Sequence, residues 1–268
     1  MSGRTKMGSS ILLEIPIATV EDALAAREGG ADRLELNSAL ALGGLTPSLG
    51  VLLEVKQAVP LPVYSMIRPR PGGFCYGEAD FRVMWRDLDQ MISHGVDGFV
   101  FGILNERGHV DLRRCRELIR RAQGKPVVFH RAFDVTPDPF AALEQLIDLG
   151  VCRILTSGQE TSAYNGTRIL AELICRAAGR IEILPAAGIN RFTVADVVAR
   201  TGCTQVHASL RGRRLDSSTA ARKHVSFGAL AGGSEEWYDA TDVEAVRALR
   251  AILTSCPSAE GNNRVGIR

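Results

Sequence analysis

Five ionisable side chains sit inside or at the end of short apolar runs. Glu14 lies in Leu-Leu-Glu-Ile, Glu35 in Arg-Leu-Glu-Leu and Arg68 in Met-Ile-Arg, while His130 follows Val-Val-Phe and His207 stands in Gln-Val-His-Ala. A charge in such a run is costly to desolvate unless it is paired or used. Two carboxylates on neighbouring strands about 4.8 Å apart could pass protons. Arginine could hold a carboxylate or phosphate, and histidine titrates near neutrality. Glu14, Glu35 and His130 are therefore the candidate acid/base groups. Arg68, Arg131, Asp134, His207 and Ser209, all near the ends of such runs, are candidate contacts for a small, anionic ligand. Ser157 in Leu-Thr-Ser-Gly and Gly188 in Ala-Ala-Gly-Ile join them, because backbone N–H groups there could approach phosphate. A buried ion-pair network among Glu14, Glu35, Arg68 and His130 would use the same residues with no reaction, and that alternative stays open.

Other chemistries are argued down. The four lysines, Lys6, Lys56, Lys125 and Lys223, miss every strand end, so a Schiff-base lysine is absent. No HExxH or HxH occurs, and Cys203 and His207 fall at opposite ends of one run, so no metal motif of adjacent ligands is visible.

Positioning those residues requires a repeated βα pattern. Strands are expected at 12–16, 33–37, 63–68, 98–102, 127–130, 153–156, 181–184 and 205–208, each followed by an amphipathic helix, near 20–29, 48–58, 79–94, 111–122, 138–149, 166–178, 192–201 and 241–254. Helix stops at Gly30 and Gly202 and N-caps at Asp111, Asp138 and Thr241 or Asp242 agree with this count. Eight units in 268 residues, with short αβ turns and longer βα loops, predict a single-domain α/β (β/α)8 TIM barrel, a fold of about 250 residues. A doubly wound Rossmann sheet is the runner-up, but its first turn, Pro16-Ile17-Ala18-Thr19, lacks the glycines of a dinucleotide site.

The barrel domain is expected at 11–254, between flexible tails at 1–10 and 255–268. The stretch 209–240, rich in Gly, Ser and Arg, reads as a lid, a solvated loop or an oligomer contact. A net charge of +2 gives no broad field for nucleic acid or anionic lipid. No apolar run approaches the ~20 residues of a membrane span, and no secretory signal is legible at the start. Six cysteines without a CxxC pair suit reduced thiols, and the expected location is cytoplasmic.

The motifs Gly-Gly-Ala-Asp-Arg-Leu-Glu-Leu at 29–36, Gly-Gly-Leu-Thr-Pro-Ser at 43–48, Ile-Arg-Pro-Arg at 67–70, Phe-His-Arg-Ala-Phe-Asp at 129–134 and Leu-Thr-Ser-Gly at 155–158 resemble those of the CutC family of copper homeostasis proteins. The match runs in order from about residue 11 to 254. The resemblance implies a cytosolic TIM barrel, a homodimer or higher homo-oligomer, a link to copper tolerance, copper(I) binding in some members and no settled reaction. Its shared polar set falls on Glu14, Glu35, Arg68, His130, Arg131, Asp134, Ser157 and His207. Members proposed to bind copper carry cysteines two residues after each strand-end glutamate, where this chain has Pro16 and Asn37. Neither is a soft ligand of the kind copper(I) prefers, and Cys75 and Met66 are the sulfur atoms left nearby.

Overall fold

The computed structural model describes residues 11–227 and 235–256. Eight parallel strands, β1 (Leu12–Ile17), β2 (Arg33–Leu36), β3 (Val63–Met66), β4 (Gly98–Phe101), β5 (Val127–Phe129), β6 (Arg153–Thr156), β7 (Glu182–Pro185) and β8 (Gln205–His207), form one sheet. Helices α1 (Val20–Gly29), α2 (Leu49–Ala58), α3 (Glu78–Ser93), α4 (Leu112–Arg121), α5 (Pro139–Asp148), α6 (Thr167–Ala177), α7 (Val194–Thr201) and α8 (Val243–Ser255) alternate with them. The ladder runs β7-β6-β5-β4-β3-β2-β1-β8, so each strand lies beside its sequence neighbour and β7 adjoins β8 across a seam without a ladder. That order is a nearly closed TIM barrel and excludes the doubly wound sheet, whose strand order reverses at a switch point.

Strand alternation divides the apolar residues into two cores. Leu13, Ile15, Leu34, Val63, Phe99, Phe129 and Ile154 join the large core beneath the helices. The alternate residues Tyr64, Met66, Val100, Val128, Leu155, Leu184 and Ala186 form a smaller cluster of their own inside the barrel. The helix ends follow the expected chemistry. Asp111, Asp138 and Asp242 accept N–H bonds at the starts of α4, α5 and α8, and Gly30 and Gly202 take left-handed C-caps at φ 93° and 69°.

Some boundaries differ from the sequence pattern. β3 stops at Met66 rather than 68, because the Arg68 N–H donates to the Thr46 hydroxyl at 2.9 Å instead of continuing the strand. After β5, His130 caps a 3-10 turn, Arg131–Val135, through its own ring. The stretch expected as an irregular loop contains an antiparallel hairpin of β9 (Arg211–Leu215) and β10 (Trp237–Thr241). Buried Asp22 ties that hairpin to the barrel. Its carboxylate accepts the N–H groups of Ala18 and Thr241, at 3.0 and 2.6 Å, and approaches Arg211 at 3.4 Å. Apolar alternation is absent there, because arginines stand on both faces of Arg-Gly-Arg-Arg-Leu. The expected tail at 1–10, residues 228–234 of the expected loop and 257–268 of the C-terminal tail lie outside the described residues, while Ser255 ends α8 and Cys256 follows it as the cap. Among the described residues no helix is long and apolar enough to cross a membrane.

Closure of the helical ring depends on a small residue where α8 crosses α1. A Cβ on Gly29 would lie 2.5 Å from Val246 Cγ1, whereas a Cβ on Gly73 would meet nothing within 4 Å. Gly29→Ala should therefore cost about 1–3 kcal/mol through overpacking, partly offset by better helix propensity. Equilibrium denaturation should show a lower midpoint at unchanged slope, with Gly73→Ala as the neutral control; equal midpoints for the two variants would refute this packing role.

Candidate functional site

Alternation aims one side chain in two from each strand at the barrel axis, and those nearest the C-terminal ends line a cavity of about 500 Å³. Glu35, Arg68, His130, Arg131, Gly188, His207 and Ser209 all line it, together with Pro16, Asn37, Met66, Phe74 and Ile189. Glu14 lies deeper, 2% exposed, with His207 as its cross-strand partner on β8 and Arg33 on β2. Asp134 and Ser157 do not line the cavity. Asp134 accepts from the Ser157 N–H at 3.0 Å and the Thr156 hydroxyl at 2.5 Å, and it pairs with Arg131 at 2.8 Å. These residues brace the ends of β5 and β6. Cys75 is exposed on a separate surface hollow with Tyr76 and Arg113, away from the mouth.

One pole of the site is built by β8, β1 and β2. Glu14 Oε1 accepts from His207 Nδ1 at 2.8 Å, Glu14 Oε2 accepts from Arg33 Nε, and Arg33 Nη2 donates to Gln205 at 2.9 Å. Burial opposes charge on Glu14, but Arg33 and His207 overcome it and hold its carboxyl down at about 2. Burial acts the other way on Glu35 and raises it; His207 opposes that rise and the Glu14 charge adds to it. Burial would lower His207, yet Glu35 and Glu14 together raise it. Glu14, Glu35 and His207 each bring a donor atom within 4.8 Å of the others. Arg33 and His207 already engage both Glu14 oxygens, so a cation among these three residues would have to displace those partners.

The opposite pole comes from β3 and β5. His130 Nδ1 accepts the Ala132 N–H at 3.1 Å, so the neutral ring carries its proton on Nε2. Burial, then the nearby Arg68 charge, lowers the His130 pKa to about 3 and keeps the ring neutral. Arg68 Nη1 donates to Leu42 O and Gly44 O at 3.0 and 2.9 Å, and Nη2 donates to Gly72 O at 2.8 Å. Its guanidinium thus clamps the loop after β2 and lies over the Phe74 ring, 5.2 Å from the centroid. A side chain at Gly102 would meet His130 Nδ1 at 2.5 Å, which explains the glycine ending that run.

The network expected among Glu14, Glu35, Arg68 and His130 is therefore split. Glu14 pairs with Arg33 and His207, while Arg68 bonds backbone carbonyls. Arg33 and the buried Arg153 were missed as parts of the site, although Arg33 stands two residues before Glu35 and so shares its face of β2. Four buried polar atoms on lining residues have no hydrogen-bond partner: Glu35 Oε1, Asn37 Oδ1, Arg68 Nε and His130 Nε2. The backbone N–H groups of Gly188 and Ile189 also make no hydrogen bond among the described residues.

Comparison with known proteins agrees with this architecture. A sequence model of the CutC family matches residues 11–212. A CutC family protein from Treponema denticola is 46% identical over 219 residues, covering 82% of this chain and 89% of the relative. The copper homeostasis protein cutC homolog of Homo sapiens is 43% identical over 251 residues, covering 94% and 92%. The crystal structure of CutC from Streptococcus agalactiae superposes with a TM-score of 0.71 at 34% identity, covering 74% of this chain and 97% of that one. Thiamine phosphate pyrophosphorylase from Pyrococcus furiosus, at 12% identity and TM-score 0.54 over 91% and 96% of the two chains, shares the fold alone. With the family motifs, the barrel and these relatives in agreement, the chain belongs to the CutC family.

Proposed function

We propose that the strand-end cavity binds a small organic anion carrying a carboxylate or phosphate, and that acid/base chemistry is available to that ligand. The observation that carries this reading is the set of four unpartnered polar atoms on the lining residues. A buried polar group left unsatisfied costs about 1–3 kcal/mol, and these two donors and two acceptors are shielded in the free protein, with Asn37 Oδ1 against Gly44 and Arg68 beside Tyr76, so a ligand would engage them by shifting those neighbours. The volume, about 500 Å³, lies in the range of metabolite sites. Arg68 Nε, His130 Nε2, Arg131 and the free N–H groups of Gly188 and Ile189 supply the anion's donors. Glu35 is the proton carrier in this reading. Glu14, held ionised by Arg33 and His207, positions His207 instead, and His130 acts as a neutral donor rather than a second proton carrier.

The cavity residues do not fit copper(I). Among them the only sulfur is Met66, and Pro16 and Asn37 stand where copper-linked members carry cysteines. Copper(I) favours thiolate and thioether ligands over amide and carboxylate oxygen. We also place the chain in the cytoplasm as a homo-oligomer. Six free cysteines and the exposed Leu215, Trp237 and Tyr238 of the hairpin support that placement.

Titration with copper(I) against a competing chromogenic chelator should detect no binding tighter than micromolar in the wild type. The double substitution Pro16→Cys with Asn37→Cys should acquire it. Stoichiometric tight binding by the wild type, lost in Cys75→Ser, would reverse this view of copper.

Thermal-shift screening with phosphorylated and carboxylated metabolites should find a ligand that stabilises the wild type but not Arg68→Gln. Because Arg68 also clamps the loop after β2, His130→Phe provides the second variant and should weaken binding at least about tenfold. Silence across such a library would sink the reading for these ligand classes.

The affinity should also fall as pH rises. Anion binding beside Glu35 favours its protonated form, and His207, Arg33 and Arg153 are the cations facing that cluster, so binding takes up a proton when Glu35 is ionised. Isothermal titration across pH should show this slope in the wild type and a flatter one in Glu35→Gln.

A further inference from the structure

We propose that this cavity enolises its ligand, with Glu35 removing a proton from the carbon beside a carbonyl group while Arg68 and His130 hydrogen-bond the oxygen that becomes negative. The inference rests on the ligand-binding reading above and names its substrate class, an α-hydroxycarbonyl compound bearing a phosphate or carboxylate.

The argument begins with the polarity of the unpartnered atoms. On the β2 side they are acceptors, Glu35 Oε1 and Asn37 Oδ1; at the ends of β3 and β5 they are donors, Arg68 Nε and His130 Nε2. A ligand lying between them satisfies both sides if it presents hydroxyl groups to the first and a carbonyl oxygen to the second. An α-hydroxycarbonyl group has that order of functions on adjacent carbons. Its anionic end then falls to Arg131 and to Gly188 and Ile189, whose N–H groups are free.

The reaction follows from the same atoms. In the ionised fraction of the complex the Glu35 carboxylate takes the proton of the carbon next to the carbonyl, so exchange per bound ligand should quicken as pH rises even as affinity falls. The C–H electron pair becomes the new C=C bond, and the carbonyl π pair moves onto oxygen. His130 Nε2–H and Arg68 Nε–H hold the resulting enolate. Return of the proton from the Glu35 carboxyl to carbon closes the cycle with no oxidant, reductant or co-reactant. None of the lining residues is lysine, so an imine route is not offered and the enolate must be stabilised by hydrogen bonds.

Several features match each group to that task. The Ala132 N–H bond to His130 Nδ1 fixes the tautomer that donates from Nε2, and the side chain is 4% exposed, where such a donor is not diluted by water. Asn37 Nδ2 donates to Glu35 Oε2 at 3.0 Å and orients the carboxylate while leaving Oε1 free. Burial raises the proton affinity of Glu35, as a base for a carbon acid requires. His207, fastened to Glu14 at 2.8 Å, is a positioning residue whose charge opposes the rise that burial imposes on Glu35.

The test incubates the full chain in D2O with dihydroxyacetone phosphate, hydroxypyruvate and ribulose 5-phosphate, following deuterium entry at the carbon beside the carbonyl by proton NMR, with thermal shift on the same samples. At least one compound that stabilises the wild type should exchange. Glu35→Gln should lose at least about 100-fold in exchange rate while keeping the thermal shift, as expected for removal of a general base. His130→Phe should lose a similar factor, and His130→Gln, which retains an N–H donor, should recover part of it. Stabilisation without exchange in the wild type, or exchange unchanged in Glu35→Gln, overturns enolisation and leaves the ligand reading standing. No stabilisation by any of the three removes both for this substrate class.

Discussion

The barrel is organised around one buried carboxylate. Glu14 sits on β1 between β8 and β2, and its two oxygens are taken by His207 from one side and Arg33 from the other. An isolated carboxylate there would be prohibitively costly, and truncating one member of a buried pair typically costs about 3–5 kcal/mol because the other charge is left stranded. Arg33 is in turn bonded to Gln205, so the cluster ties β8 to β2 across β1 by side chains as well as by ladders. The interaction links three neighbouring strands and, by the same contacts, places paired charges in the floor beneath the cavity.

The consequences spread upward through the register. Because side chains alternate, fixing Glu14 inward also points Pro16 inward, and fixing Arg33 does the same for Glu35 and Asn37. The cavity therefore inherits a polar wall on this side whether or not each residue has a partner. The opposite wall is set differently. Arg68 and His130 lie just past the ends of β3 and β5, and their backbones turn away because the Arg68 N–H and the His130 ring are engaged locally. One wall is held by a charge cluster and the other by loop hydrogen bonds, and the two present opposite hydrogen-bonding polarity to the space between them.

Much of this could be read from residue order. The eight strands and eight helices were legible because each apolar run was short, bounded by Gly or a capping Asp, and followed by a helical period, and Glu14 and Glu35 stood out as charges where only apolar residues were needed. Less was legible where the signal lies in pairing. Nothing in the run Gln-Val-His showed that His207 rather than His130 would meet Glu14, since that depends on β8 returning beside β1. Arg68 lines the cavity, as its type and place suggested, but nothing in the sequence showed that its Nη atoms would bond the carbonyls of Leu42 and Gly44, since carbonyls carry no sequence signature. Asp134 and Ser157 looked like cavity groups for the same reason, and they satisfy each other. Hairpin β9–β10 was hidden by its arginines, which remove the apolar alternation that marks a strand.

Pro16 and Asn37 each stand where the strand that carries them can accommodate them. A proline inside a central strand forfeits a ladder bond, yet Pro16 lies two residues past the last pair with β8, Glu14 with His207, so that ladder has already ended. Asn37 is not an inert replacement either. It donates to both the carboxylate and the backbone carbonyl of Glu35, at 3.0 Å each, which fixes the orientation of that carboxylate. Neither residue belongs to the Glu14–His207–Arg33 pairing, and Asn37 reaches it only through Glu35. Pro16 and Asn37 stand one layer above the side chains that tie β8, β1 and β2 together, so a substitution at either position leaves those ties in place.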